Sequence, residues 1–312
     1  MSPIPHGDLL IAAPRRWDEA TFSVPAIRAL AASGLAVGIL CVEKQAAFWK
    51  LLPGVEVVPF SATAKPKGIA AAVAGNWEAS LAWEAGQEAE VFAKAGISRR
   101  LGVEEKSLLK RLTHPLKISV GPLEHRVQFY LSVVKSMGIP VEKPEFFLPA
   151  ATEPKAAGSL LICPDSDFGA HYEWPLERWE EIAKACVERR IPVVIGSLAE
   201  GRGLGKSLIA RMAEGTPEVE FGEFGKDLPL IATYPSLLCA DGSLPHLASH
   251  LGATCAVLFG PNDPAWKRPL GTRHRVIRRH VECAPCFLKK CAMDLRCQRE
   301  LGVERVLERV FS

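Results

Sequence analysis

Four cysteines within 15 residues, Cys283, Cys286, Cys291 and Cys297, form the densest set of chemistry-bearing side chains in the chain. Their spacing is C-x2-C-x4-C-x5-C. Four thiolates bind Zn²⁺ tetrahedrally, and a C-x2-C pair is the usual start of such a site. A reducing compartment favours a metal over disulfides. The gap between the second and third cysteines is shorter than in common zinc folds. A structural zinc, two disulfides and free thiols therefore all stand as readings of this segment. The other five cysteines, Cys41, Cys163, Cys186, Cys239 and Cys255, fall in apolar segments, where a thiol behaves as a small core residue.

A second constellation lies in Ser236-Leu-Leu-Cys-Ala-Asp-Gly-Ser-Leu-Pro-His246, which reads as a strand running into a helix. Gly242 and Ser243 fall at the turn, with Ser243 the expected N-cap and Pro245 suited to the first helical turn. A helix start exposes unpaired backbone N–H groups and the positive end of the dipole, so it can hold a phosphate. On spacing alone, an ordinary capped strand–helix connection accounts for the segment as well.

These residues have to be positioned by an alternation of strands and helices. Strands are predicted at Leu9–Ala13, Ala36–Val42, Glu56–Phe60 and Ala79–Trp83, and helices at Phe22–Ser33, Gln45–Leu52 and Leu123–Met137. Gly138–Gly158 carries four prolines and reads as a linker. Beyond it, strands are predicted at Ser159–Pro164, Pro192–Gly196, Ser236–Ala240 and Cys255–Phe259. Helices are predicted at Leu176–Arg189, Leu204–Ala213 and Leu244–Leu251. Strands buried on both faces and joined by helical crossovers make parallel sheets. Two such blocks imply two Rossmann-like domains, 1–150 and 151–312, facing each other across a cleft. Ligands in such sheets sit beyond the carboxyl ends of the strands.

Composition narrows the class further. The chain has 312 residues, 48% apolar and 23% charged, which excludes a disordered or fibrous protein. A net charge of +3 gives no reason to expect a nucleic-acid partner. It conceals a split, because residues 266–312 carry 12 Lys/Arg against 5 Asp/Glu while the rest of the chain is slightly acidic. Arg273, Arg275, Arg278, Arg279, Lys289 and Lys290 form a basic tail that is either a solvated surface or a patch for an anionic partner. Met1 to Asp8 shows no secretory signal, and the chargeless stretches do not read as membrane spans. A cytoplasmic protein is expected.

The segment Asp241-Gly-Ser-Leu-Pro-His246, then a helix, then Leu258-Phe-Gly-Pro-Asn-Asp-Pro264, resembles the signature of glycosyltransferase family 9. That family comprises the bacterial ADP-heptose:lipopolysaccharide heptosyltransferases and their relatives. Cys163-Pro-Asp-Ser-Asp-Phe-Gly-Ala-His-Tyr-Glu-Trp-Pro175 resembles the family's Pro-Gly…Lys-Arg-Trp-Pro loop. Val194-Ile-Gly-Ser197 is similar to its Gly-Ser strand end, and Val24-Pro-Ala-Ile-Arg-Ala-Leu30 to the helix after its first strand.

The resemblance implies the α/β GT-B architecture. It also implies an inverting, metal-independent transferase that moves a heptose from ADP-heptose to a lipopolysaccharide-core-type acceptor, with no cofactor required for catalysis. Carried over, the N–H groups of Gly242, Ser243 and Leu244 receive the diphosphate. Asp241 and His246 shape that loop, and Gly196 and Ser197 line the nucleotide side. The family's Gly-Asp pair after the first strand, whose Asp is the general base, aligns with Asp18 and Glu19. That makes Glu19 the first candidate base and Asp18 the second. A glycolipid acceptor implies peripheral contact of the basic tail with the inner membrane. Three departures define an alternative, a catalytically degenerate nucleotide-sugar-binding protein on the same scaffold. They are the changed Gly-Asp pair, Tyr172-Glu173 in place of Lys-Arg, and Asp165 in place of Gly. His171, Arg15, Arg16 and Lys267 are the cations that could replace the lost charge.

Overall fold

The computed structural model describes residues 7–150, 158–288 and 290–311. The linker segment 151–157, residues 1–6 of the N-terminus and Lys289 of the basic tail lie outside the described residues. The chain divides into two compact units, Met1–Leu148 and Pro149–Ser312.

In the first unit, β1 (Leu9–Ala12), β2 (Val37–Val42), β3 (Val55–Phe60), β4 (Ala79–Ala82), β5 (Arg99–Val103) and β6 (His114–Leu116) form one sheet in the order β3-β2-β1-β4-β5-β6. In the second, β7 (Leu160–Cys163), β8 (Val193–Leu198), β9 (Glu218–Phe221), β10 (Ser236–Ala240), β11 (Thr254–Phe259) and β12 (Arg275–Arg278) form another in the order β12-β11-β10-β7-β8-β9. The pairings are parallel throughout, from Leu9 beside Val37 to Ser236 beside Leu160. Each sheet is doubly wound and reverses direction once, between β1 and β4 in the first unit and between β7 and β10 in the second. Those two points are where the loops part and a ligand can enter.

The central strands are fully buried apolar runs: β1, β2, β4 and β7 are covered along their whole length. Burial of each Leu, Ile or Val contributes about 1.5–3 kcal/mol. The helix predicted from Phe22 begins at Trp17 and runs to Ala31, so its first turn carries Asp18 and Glu19. It starts early because Trp17 and Ala20 are core residues; the apolar surface that holds it extends one turn further upstream. The single helix expected over Gln45–Leu52 is instead a 3₁₀ turn, Glu43–Gln45, followed by Ala46–Trp49. Gly54, at a positive φ of 75°, turns the chain into β3. Strands β5, β6, β9 and β12 were not predicted. They carry Arg, His, Pro or Glu, and β6, β9 and β12 have a neighbour on one side or close to the sheet edge, so their patterns lack an apolar run.

The end of the chain closes the second core. Leu301 and Val306 are fully buried beside Trp174 and Trp179, whose rings meet edge to face at 5.4 Å. The Trp174 indole N–H donates to the Leu301 carbonyl at 3.0 Å. No helix among the described residues is long and apolar enough to cross a membrane.

Candidate functional site

At the switch point of the first unit, the ends of β1 and β4 open on a cavity of about 210 Å³. Its walls include Arg15, Arg16 and Glu19 after β1, Trp83, Glu84 and Glu88 after β4, and Tyr130 from the helix Val127–Ser136. The Glu19 Oε2 accepts from Arg126 Nε at 2.8 Å and from the Tyr130 hydroxyl at 2.7 Å. The other arm of Arg126 reaches Glu84, and its guanidinium stacks 4.1 Å from the centre of the Phe129 ring. Burial alone would lower the Arg126 guanidinium, but the charge and hydrogen bond of Glu19 and the charge of Glu84 hold it above its ordinary value. Burial, then the Glu19 charge, push the Tyr130 phenol well above its ordinary value, so it stays a hydroxyl that donates.

Asp18 is placed differently. It is fully buried, and Arg16 Nε and Nη2 donate to its two oxygens at 3.1 and 3.0 Å. Of the two candidate bases, Glu19 faces the cavity and Asp18 is sealed into the start of its helix. Arg15 is engaged by Glu88 and Gln87.

At the switch point of the second unit, two loops meet. The loop after β10 begins with Asp241, fully buried, whose Oδ2 accepts from Asn262 Nδ2 at 2.7 Å. That contact joins the Asp-Gly-Ser-Leu-Pro-His segment to the Phe-Gly-Pro-Asn-Asp-Pro segment. The Asp241 carbonyl accepts from the Ser166 hydroxyl at 2.6 Å, which brings in the loop after β7. The helix after β10 spans Ser243–His250 and its N-cap is Gly242. Ser243, expected as the N-cap, is the first helical residue. Its hydroxyl does not accept from the helix; it donates to Asp167 Oδ2 at 2.6 Å, and the Ser243 N–H donates to Asp167 Oδ1 at 2.7 Å. The spacing suggested a self-capping serine, but a carboxylate 76 residues away supplies the acceptor. Leu244 and His246 are buried in the same helix.

Asp165 forms a second such contact. Its carboxylate accepts from the N–H groups of Leu198, Leu204 and Gly205 at 3.0, 2.8 and 3.3 Å, clamping the end of β8 to the helix Leu204–Ile209. Gly196 and Ser197 lie within β8, which runs on to Leu198, and both are packed in the sheet. Gly205 must be glycine there, because a Cβ would sit 2.3 Å from the Gly196 carbonyl oxygen. Glu173 is buried and accepts from the Ser166 N–H and from Arg202, both at 3.3 Å. Burial raises its carboxyl, against the Ser166 hydrogen bond and the Arg202 charge. Arg202 is the cation that meets this carboxylate. His171 instead bonds the Leu288 carbonyl, and Lys267 is buried with its ammonium 4.9 Å from the Trp266 ring centre.

The cysteine segment braces the same region. The N–H groups of Cys286 and Phe287 both donate to the Pro261 carbonyl at 3.0 Å, and a Cβ on Gly260 would lie 3.2 Å from Cys297 Sγ. Cys297 is buried, and its thiol is pushed up to about 11 by burial and by the nearness of Cys283, Cys286 and Cys291. Among the described residues, no group of three or more His, Cys, Asp or Glu side chains is arranged to hold a metal ion.

Two doubly wound parallel sheets, each with its charged loops gathered at the switch point, define an α/β protein of the GT-B class. The chain belongs to glycosyltransferase family 9 (heptosyltransferase), whose family model matches residues 88–296. It is 29% identical over 124 residues to lipopolysaccharide heptosyltransferase 2 of Escherichia coli K12, a match covering 38% of this chain and 35% of that protein. The matched stretch is thus about a third of that relative's length. Among solved structures, a family 9 glycosyltransferase from Veillonella parvula superposes with a TM-score of 0.82 at 10% identity, covering 98% of this chain and 97% of that one. The E. coli heptosyltransferase WaaC with ADP-2-deoxy-2-fluoro heptose superposes with a TM-score of 0.74 at 16% identity, covering 97% and 98%.

Of the residues expected from the sequence, the structure places Glu19 at the first cavity and Asp241 beside the Gly242–Leu244 turn. Their surroundings include Arg126, Tyr130, Glu84 and Asp167, which the sequence did not single out because the partners lie 42 to 111 residues apart in the chain. Asn262 was within reach of the sequence, because it lies in a segment already singled out beside Asp241.

Proposed function

We propose that this protein is an inverting, metal-independent glycosyltransferase that moves a heptose from ADP-heptose to a lipopolysaccharide-core-type acceptor. The acceptor hydroxyl is taken up by the first unit and the nucleotide sugar by the second. Glu19 removes the hydroxyl proton as that oxygen attacks the anomeric carbon, and the diphosphate leaves from the opposite face, which inverts the centre. A carboxylate within hydrogen-bond reach of the hydroxyl contributes roughly 10²- to 10⁴-fold to such a step. Tyr130 and Arg126 are positioning residues that fix the Glu19 carboxylate. The charge developing on the diphosphate is met by the N–H groups of Gly242, Ser243 and Leu244 and by the helix dipole. Asp241 and His246 hold that loop in shape, and Gly196 and Ser197 support its nucleotide side. The heptosyltransferase solved with an ADP-heptose analogue supports the choice of donor.

The observation that carries the proposal is the position of Glu19, which lines the cavity at the switch point while its neighbour Asp18 is sealed. The test is a transfer assay with ADP-heptose and a lipopolysaccharide-core acceptor, reading ADP release and sugar incorporation. Turnover lost in Glu19→Gln with unchanged thermal unfolding supports it. Full turnover in that variant removes Glu19 as the base, and nucleotide-sugar binding without any turnover leaves a degenerate binding protein instead.

The proposal extends to the tail and the compartment. A nucleotide-sugar donor places the reaction in the cytoplasm. Exposed Phe287, Leu288 and Met293, beside Lys290, form the surface that would meet the inner membrane. Co-sedimentation with liposomes that is indifferent to anionic lipid would refute that contact. Cys283, Cys286, Cys291 and Cys297 are proposed as ligands of a structural zinc on their spacing alone; near-stoichiometric zinc in reduced, chelator-free protein is the expected result, and its absence refutes the site.

A further inference from the structure

The loop that should receive the donor's diphosphate is occupied by the chain's own carboxylate. Asp167 accepts from the Ser243 N–H at 2.7 Å and from the Ser243 hydroxyl at 2.6 Å. Its Oδ1 packs so closely on Gly242 that a Cβ there would approach to 2.8 Å. These are the contacts a phosphate oxygen makes at a helix start: a main-chain donor, a hydroxyl donor and a close approach to a glycine. We propose that Asp167 is an internal competitor for the diphosphate, an affinity-setting residue that has to turn away before the donor can bind and that returns as the nucleoside diphosphate leaves. The proposal rests on the nucleotide-sugar assignment above.

Three features make Asp167 displaceable. First, it is exposed, whereas its neighbours Asp165 and Ser166 are buried, so its side chain can rotate into water without disturbing packing. Second, the loop beneath it is anchored independently. The Ser166 hydroxyl donates to the Asp241 carbonyl at 2.6 Å, the Phe168 N–H donates to the Ser166 hydroxyl at 3.1 Å, and Asp165 holds three N–H groups of its own. Rotation of Asp167 therefore leaves the backbone in place. Third, the Ser243 donors belong to the helix start and stay behind when the carboxylate leaves, pointing at the vacated position.

The two anions exclude each other. One N–H cannot serve both at full strength, and a carboxylate within hydrogen-bond distance of a phosphate oxygen repels it in a site walled by Asp241, Ser166 and Gly242. Apparent affinity is then the intrinsic affinity scaled by the fraction of molecules with Asp167 turned out. Charge-assisted hydrogen bonds of this kind are each worth enough to shift that fraction about 10-fold or more.

The experiment measures ADP binding by titration calorimetry to the full-length protein and to Asp167→Asn and Asp167→Ala, with thermal unfolding as the check on folding. The Asn variant keeps the shape and loses the charge, so it guards against a folding defect in the Ala variant. The expected result is binding tightened roughly 10- to 100-fold in Asp167→Ala and by a smaller factor in Asp167→Asn. Binding that is unchanged or weaker in both variants, with the wild type still binding, overturns the proposal alone. It would mean that the carboxylate stays in place and orders the loop around the ligand. Absence of ADP binding to all three folded proteins overturns both the proposal and the nucleotide-sugar assignment beneath it.

Discussion

At the switch point of the first unit, Glu19 is held by two side chains, the Arg126 guanidinium and the Tyr130 hydroxyl. At that of the second, Asp165 is held by three main-chain N–H groups, one at the end of β8 and two at a helix start, and Asp167 by the N–H and hydroxyl of Ser243 at another. The distinction bears on what each carboxylate can do. Side-chain donors bring their own charge and geometry and fix a carboxylate where it is needed, which suits a group that works in place. Main-chain donors are part of the fold and remain when the carboxylate departs, so they are equally available to another anion. Asp165, with three such donors and almost no exposure, is structural; Asp167, exposed and sharing one N–H and one hydroxyl, is provisional.

The largest expected effect falls on the carboxylate proposed as the base. Glu19→Gln should lower kcat by roughly 10²- to 10⁴-fold with little change in unfolding temperature. Asp18→Asn, one residue away, should do the reverse. It weakens the buried pair with Arg16 and costs about 1 kcal/mol of stability while leaving kcat within a few-fold. Steady-state kinetics beside thermal unfolding separates the two, and a large kcat loss in Asp18→Asn would break the assignment. Next comes the structural carboxylate of the second unit. Asp165→Ala strands three N–H groups between β8 and the following helix and should cost about 2–4 kcal/mol. Chemical denaturation measures it, and a loss below about 1 kcal/mol would place Asp165 with the displaceable Asp167.

How much of this was legible in the sequence follows from distance along the chain. The central strands could be read because burial on both faces writes a continuous apolar run, as in Leu9–Ala12 and Ser236–Ala240. The peripheral strands could not, since Arg275–Arg278 or His114–Leu116 spend half their pattern on charge or proline. The Gly242–Ser243 turn was visible because a strand, a glycine and a helix start are adjacent in sequence. What fills it was not, because Asp167 reaches Ser243 across 76 residues and the loop that carries it has no periodicity to fix its direction. Glu19 could be placed only through the family pattern, and its partners Arg126 and Tyr130 lie 107 and 111 residues downstream.

A titration offers a smaller contrast between the units. In the second, His274 bridges β11 and the turn before β12: its Nδ1 accepts from the Cys255 N–H at 3.2 Å and its Nε2–H donates to the Leu270 carbonyl at 2.9 Å. The Nδ1 contact needs the neutral ring, whereas donation from Nε2–H to the Leu270 carbonyl survives protonation. Burial, with Arg273 and Arg268 nearby, lowers its pKa to about 4 against the Leu270 hydrogen bond. The folded state therefore binds fewer protons than the unfolded chain between about pH 6.5 and 4. Stability is complete above that window and lost as pH falls through it. Discounted for partial solvent exposure, the loss is about 1–2 kcal/mol. Hydrogen exchange should show peptides over 254–278 opening with acid while those over 37–42 stay protected, and His274→Gln should flatten the dependence. Equal acid sensitivity in both units would remove His274 as its source.

The smallest effect tests whether Glu19 is held as tightly as its geometry indicates. Tyr130→Phe deletes one of the donors to Glu19 Oε2 and keeps the ring against Trp83, whose centre lies 5.1 Å away, so packing is preserved. A hydrogen bond to a carboxylate is worth about 1.5–3 kcal/mol, and Arg126 compensates for part of the loss. The expected result is a kcat about 3- to 10-fold lower at neutral pH. A purely structural role would lower stability and leave kcat unchanged. If instead Tyr130→Phe matched Glu19→Gln in severity, the phenol would be touching the reacting atoms. The first unit's carboxylate would then share its role with a second group, and the contrast with Asp167 would sharpen further.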